Sequence, residues 1–203
     1  MRGPFKGTLA KYGHKSFCRQ TLIGGNYGLL QNENGTIVPN PDFWAADLFN
    51  RLMTGHVING NSGLKGFYMT QSCFKATTND INVHVYIHWE DGVDDSVEDQ
   101  LVVLVLNYGI EPVVIEPKAF TQRHPGLKSD TPPDKRVDDV VTSDDLQSKN
   151  VWINGKKAEF PDTGIPSSLS YGLEAASTNA TMSLPGHSYA FYQFLNFENG
   201  TVH

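Results

Sequence analysis

Two hydrophobic periods divide the chain. Between Pro41 and Thr54 apolar side chains recur at helical spacing: Trp44, Leu48 and Leu52 fall on one face, with Ala45, Phe49 and Met53 beside them. Asn40 is a suitable N-cap residue, Pro41 at N1 gives up an N–H that the helix would leave unpaired, and Gly55 suits the C′ position. The pattern predicts a helix from about Pro41 to Thr54. From Val57 onward the period shortens to two. In Ile81–Trp89 the residues Ile81, Val83, Val85, Ile87 and Trp89 share one face, while Asn82, His84, Tyr86 and His88 share the other, as in a half-buried strand. Leu101–Asn107 is apolar throughout, as in a central strand covered on both faces. Further strands are expected at Gly66–Phe74, Pro112–Ile115, Val151–Ile153, Lys157–Phe160 and Ser188–Phe197, with Asn154-Gly155 as a two-residue hairpin turn. Several short strands separated by turn residues predict a β-sandwich.

The N-terminal part reads differently. Residues 1–16 resemble the tail of a helix and a turn, and residues 17–24 form a short apolar strand ending in Gly24-Gly25. That strand exposes Asn26 and Tyr27 and leads through a loop into the Pro41–Thr54 helix. A βα-barrel presents side chains to substrate in this way, at the C-terminal end of a strand. Helix, strand and helix make one and a half turns of such a barrel, too little to fold alone. The division expected is therefore residues 1–55 as a barrel remnant and residues 56–203 as a β-sandwich domain, mainly β overall. Two stretches are expected not to pack: the acidic connection Asp91–Asp99, and the long polar segment Arg123–Lys149, which is expected to be mobile.

Charge sharpens the contrast. The first 32 residues carry Arg2, Lys6, Lys11, Lys15 and Arg19 and no acid, whereas the whole chain of 203 residues has a net charge of −6. An acidic chain without basic clusters argues against a nucleic-acid partner. The basic start fits either an anionic sugar or a solvated rim. No run of about 18 apolar residues suggests a membrane span, and the Met1–Gly7 start lacks the apolar stretch of a secretory signal. Such a start on a mid-barrel sequence suggests a truncated gene or a fragment. Cys18, inside the first strand, suits a small buried hydrophobe better than half of a disulfide with Cys73. Three Asn-x-Thr sequons, at Asn34, Asn179 and Asn199, permit glycosylation if the protein passes through the secretory pathway.

Catalytic candidates are few. His84 and His88 share a strand face, but four residues at about 3.3 Å each separate their Cα atoms by about 13 Å, too far to share a zinc ion. The acids of Asp91–Asp99 lack the oxygen spacing of a calcium loop. Neither a metal nor another cofactor is expected. Glu33 lies in a Gly- and Asn-rich loop and Asp42 in a first helical turn, where an acid complements the helix dipole. Their expected roles are loop solvation and helix-end stabilisation. Taken from the residues alone, Asn26 and Tyr27 are a turn residue and a rim aromatic, or else contacts to a sugar.

The run Cys18-Arg-Gln-Thr-Leu-Ile-Gly-Gly-Asn-Tyr-Gly-Leu-Leu30 resembles the last barrel strand of the heparanase-like glycoside hydrolases (glycoside hydrolase family 79), the plant members above all. Pro41–Met53, Val85–His88, Val151–Gly155 and Leu184–Phe191 are similar to later blocks of the same family at matching spacing, so the resemblance covers roughly residues 9–197. It implies the C-terminal portion of an incomplete (β/α)8 barrel followed by a sandwich, from a retaining β-glucuronidase or endo-β-glucuronidase. It further implies that Gly25, Asn26 and Tyr27 line the subsite for a uronic acid. The implied partners are a glucuronic-acid-containing carbohydrate and the missing N-terminal barrel portion, and the implied setting of the parent is secretory. The family's two catalytic glutamates lie upstream of the region matched, so no catalytic residue is expected here and the isolated chain is expected to be inactive. Trp89 stands where many members have a cysteine paired with one near the C-terminus, and no cysteine follows Cys73. The rival expectation is a non-catalytic secreted β-sandwich with a structural or glycan-binding role.

Overall fold

The computed structural model describes residues 12, 21–24, 27–58, 74–76, 82–90, 100–117, 133–145, 147–160, 172–175 and 177–195. Within these the chain is mainly antiparallel β-structure with one helix. The elements in order are β1 (Leu30–Glu33), β2 (Thr36–Pro39), α1 (Pro41–Leu52), β3 (His56–Ile58), β4 (Phe74–Ala76), β5 (Val83–Glu90), β6 (Gln100–Asn107), β7 (Val113–Pro117), β8 (Lys135–Ser143), β9 (Val151–Ile153), β10 (Lys156–Lys157), β11 (Leu173–Glu174), β12 (Met182–Leu184) and β13 (Ser188–Leu195).

A large sheet runs in the order β10-β9-β8-β13-β6-β5-β3, and β11 adds to the edge of β8 beside β9. Its centre is the pairing of β13 with β6 on one side and β8 on the other, Ala190 lying opposite both Val105 and Val140. A three-stranded sheet, β12-β7-β4, shares an apolar core with one face of the large sheet. Val83, Val85, Ile87 and Trp89 of β5 point into that core together with Val103, Val105, Ile115, Leu184 and Phe194. The period-two reading of β5 therefore selected the correct inner face. A short hairpin, β1-β2, precedes the helix.

The opposite face of the large sheet is covered by α1. Trp44, Leu48 and Met53 pack with Tyr86, Leu104, Leu106, Val141, Ile153 and Phe191 in a second core. The apolar stripe of the helix is thereby buried at Trp44 and Leu48. One expectation changes as a result: β5 is not half-buried, because Tyr86 and His88 lie under the helix instead of facing water. Polar character on one face signalled a covering helix here, since Tyr and His bring an apolar ring along with a polar tip.

The segment 123–149 also departs from its sequence reading. Its described part contains β8, nine residues long and central to the sheet. The charges that hid the strand are internally paired. Arg136 is buried, makes a two-point contact to Asp138 (Nε–Oδ1 2.7 Å, Nη2–Oδ2 2.9 Å), donates to the carbonyls of Thr178 and Ala180, and lies 5.9 Å from the ring centre of Tyr192. Residues 136, 138 and 140 face the first core, while 139 and 141 face the helix side, so strand alternation persists beneath the charge pattern.

Two Asn-Gly turns set the hairpins. Asn154 (φ 51°) and Gly155 (φ 73°) connect β9 to β10 as the sequence predicts, both with the positive φ of a type I′ turn. Asn34 (φ 53°) and Gly35 (φ 91°) do the same for β1 and β2, a hairpin where the sequence predicts only a Gly- and Asn-rich loop. The strand expected at Gly66–Phe74 is described from Phe74 to Ala76, and its earlier part lies outside the described residues, as do Cys18, Cys73 and the Asp91–Asp99 connection.

Buried Asp139 on β8 supplies a test of this packing. Burial pushes its carboxyl up to about 6, with the charge of Asp138 adding and those of Arg51 and a Gln193 hydrogen bond (3.2 Å) opposing. A folded-state value above the unfolded one means that the fold gains stability as the pH drops from above 6 towards 4. Asp139→Asn keeps the shape and the acceptor oxygen. It should stabilise the protein by about 1–2 kcal/mol at pH 7.5, the partial solvation of the site included, with the gain vanishing near pH 4. Urea melts of both proteins across this range measure the gap, and a gain independent of pH would refute the assignment.

Candidate functional site

A cleft of about 670 Å³ opens between the N-terminal half of α1 and the helix-facing side of β6, β13 and β8. Its position follows from the entry into the helix. Asn40 takes the N-cap position with extended backbone, but its side chain does not cap. Instead its Nδ2 donates to the Gly28 carbonyl (2.7 Å), and its backbone N–H donates to the carbonyl of Leu29 (2.9 Å). The helix start thereby holds the 27–29 loop against itself and leaves Tyr27 at the mouth of the cleft, about half exposed. Gly28 permits the close approach, because a Cβ there would lie 2.8 Å from two backbone oxygens.

The far wall comes from two loops. In the 143–149 loop Asp145 Oδ1 accepts from the Gln147 N–H (2.6 Å), and Lys149 reaches the β1-β2 hairpin, donating to Gln31 (3.0 Å) and pairing with Glu33 (3.3 Å). The turn before β13 is fixed by Asn107, a buried amide whose Nδ2 donates to the carbonyls of Glu111 (2.8 Å) and Pro185 (3.0 Å). Gly186 in this turn has no room for a side chain, since a Cβ would sit 2.1 Å from the Ile110 carbonyl oxygen. His187 follows it at φ 53° and lines the cleft.

The interior is aromatic and poor in hydrogen bonds. Phe49, Tyr108, Tyr189 and Phe191 line it with Leu104 and Leu106. The hydroxyls of Tyr108 and Tyr189 are buried and have no partner among the described residues. Burial raises both phenols well above their ordinary range, Tyr86 adding at Tyr108 and the charge of Asp42 at Tyr189, so both remain neutral donors. Beneath the helix His84 packs edge-on to Tyr108 (5.5 Å between ring centres) and His88 to Phe49 (6.1 Å). Burial holds both rings below the usual histidine range, against the Thr54 and Met53 carbonyls in the case of His88. Among the described residues no group of His, Cys, Asp and Glu could hold a metal ion.

The sequence-derived candidates fall into place unevenly. Gly25 and Asn26 lie outside the described residues, and Tyr27 stands at the cleft mouth. Asp42 occupies the first turn of α1 and also lines the cleft, while Glu33 sits on the exposed hairpin with Lys149. Asn34 is exposed in the hairpin turn and Asn179 in the turn before β12; Asn199 lies outside the described residues. The cleft itself escaped the sequence reading, because its walls come from five separated segments. Its signal was present in the aromatic side chains that alternate along Tyr189–Phe191 next to a helix carrying small residues at Ala45 and Ala46.

Comparison with known proteins decides the relationship. No protein-family model matches the chain. Over 157 residues, 74% of this chain, it is 48% identical to baicalin-β-D-glucuronidase of Scutellaria baicalensis. Heparanase-like protein 1 of Arabidopsis thaliana is 57% identical over 47 residues, 23% of this chain and 8% of that protein. The chain belongs to the heparanase-like family. The hyaluronoglucuronidase of the leech Hirudo nipponia is a more distant relative, 23% identical over 88% of this chain and 31% of its own length. The matched stretch spans 23% of the length of the Scutellaria protein.

Proposed function

We propose that this chain is the C-terminal part of a heparanase-like retaining β-glucuronidase or endo-β-glucuronidase acting on glucuronic-acid-containing glycans or glycosides. The 48% identity to a β-glucuronidase over most of the chain carries the proposal. In this reading residues 1–55 are the last strand and helix of a (β/α)8 barrel. Residues 56–203 are a β-sandwich formed by the two sheets around the first core, and the parent is a secretory glycoprotein. The packing of α1 on the large sheet supports a buttressing role, since the same helix would face the barrel on one side and the sandwich on the other.

Retaining hydrolysis needs two carboxyl groups about 5–5.5 Å apart, one protonating the leaving oxygen and the other attacking the anomeric carbon. The glycosyl-enzyme bond formed in that attack is then broken by water, with the first group acting as base. Glu33 is paired with Lys149 on an exposed hairpin and Asp42 serves the helix terminus, so neither is assigned that chemistry. Both catalytic glutamates belong to the barrel portion outside this chain. Gly25, Asn26 and Tyr27 contribute sugar contacts: Tyr27 through its hydroxyl or ring face, and Asn26 through its amide.

The isolated 203-residue chain should accordingly show no turnover of a chromogenic β-glucuronide. Hydrolysis above background that disappears on Glu33→Gln or Asp42→Asn would show that the catalytic carboxylates are misassigned.

A further inference from the structure

An asparagine at a helix N-cap ordinarily turns its side chain back, accepting a hydrogen bond from an N–H of its own first turn. Asn40 has the extended backbone of an N-cap (φ −79°, ψ 158°) but makes no such bond. Its Nδ2 donates instead to the Gly28 carbonyl at 2.7 Å, twelve residues earlier. The helix forgoes a cap and holds a loop. We propose that Asn40 is a positioning residue for sugar recognition: it fixes the Gly28–Leu29 peptide, and through it the place of Tyr27. The inference rests on the glucuronidase reading above and on the sugar contact assigned there to Tyr27.

The Gly28 carbonyl and the Leu29 N–H belong to one peptide unit, and it is pinned from both sides. Asn40 holds the oxygen, while the N–H donates to the Thr21 carbonyl (3.2 Å). The next carbonyl, that of Leu29, accepts from the backbone N–H of Asn40 (2.9 Å), and the Leu30 N–H donates to the Leu22 carbonyl (2.8 Å). Asn40 is itself on firm ground, because Trp44, one turn further along α1, is buried in the second core. Tyr27 directly precedes the pinned unit and is 55% exposed, so its place depends on the backbone that carries it more than on burial. A site holds its geometry only when the groups behind the contact residues are fixed in this way.

Aspartate separates holding the loop from capping the helix. Asn40→Asp keeps an acceptor at the positive end of the helix, a good N-cap, but loses the donor to the Gly28 carbonyl. In the 203-residue chain it should leave the urea midpoint unchanged or raised, while the Leu29 amide exchanges about fivefold faster by NMR, the equivalent of one hydrogen bond. The enzymatic arm uses the Scutellaria glucuronidase carrying the corresponding residues of this chain, Tyr27 and Asn40 included. There Asn40→Asp and Asn40→Ala should each raise KM for a β-glucuronide about fivefold with kcat within about twofold, and move KM for the matching β-glucoside less. A capping role predicts instead that activity follows stability, with Asn40→Asp unimpaired. Unchanged KM in Asn40→Asp, an equal rise on both sugars, or unchanged Leu29 exchange would each overturn the inference while the glucuronidase reading stands. An unmodified chimaera without turnover would remove that reading and the inference with it.

Discussion

Replacing Trp44 by alanine is expected to lower the free energy of unfolding by about 3–5 kcal/mol, the range for removing a large aromatic side chain from a core. Trp44 is 1% exposed and meets Phe43 and Phe160 edge-on, with ring centres 5.2 and 5.7 Å away. Phe160 follows β10 and Phe43 belongs to α1, so the three rings join the helix to the far edge of the large sheet. The loss should appear in a single cooperative transition that includes the sheet. If α1 were an independent remnant, the variant would leave the sheet's denaturation midpoint unchanged, and equilibrium urea unfolding followed by far-ultraviolet circular dichroism distinguishes the two.

Arg136→Leu should cost a similar amount, about 3–5 kcal/mol, because breaking a buried pair from one side leaves the other partner uncompensated. Three acceptors lose their donor together: Asp138 and the carbonyls of Thr178 and Ala180. Further replacement of Asp138 by leucine should recover part of the loss, since the remaining carboxylate is the costliest orphan. A double variant no more stable than Arg136→Leu would place the cost in the 177–180 turn instead.

These two sites also show where sequence reasoning reached and where it stopped. The helix boundaries, the inner face of β5, the fully covered β6 and the Asn154-Gly155 hairpin followed from periodicity and turn chemistry, because each is decided within about ten neighbouring residues. What the pattern could not reveal was which faces meet. The tertiary burial of Tyr86 and His88 beneath α1 depends on a partner more than thirty residues away. In β8 the alternation was masked by Arg136, Asp138 and Asp139, which read as solvated charges until their partners on β13 and in the 177–180 turn are known. For the site, the Gly25-Asn26-Tyr27 motif was legible through a family resemblance, whereas the cleft that Tyr27 borders is assembled from five separated stretches of the chain. Local sequence carries no record of that assembly.

The central claim is that this chain supplies the C-terminal part of a glucuronidase. An exchange experiment tests it most directly: the matched stretch of the Scutellaria baicalin-β-D-glucuronidase is replaced by the corresponding residues of this chain, Tyr27 included, and kcat/KM is measured on a β-glucuronide and the matching β-glucoside. The account predicts glucuronide turnover within about tenfold of the unmodified enzyme, with the preference for the uronate retained. Introducing Tyr27→Phe should lower the glucuronide value about 2- to 13-fold, the equivalent of one hydrogen bond of 0.5–1.5 kcal/mol, and lower the glucoside value less. A folded chimaera that binds but does not hydrolyse the glucuronide, or that hydrolyses glucoside and glucuronide alike, would contradict it.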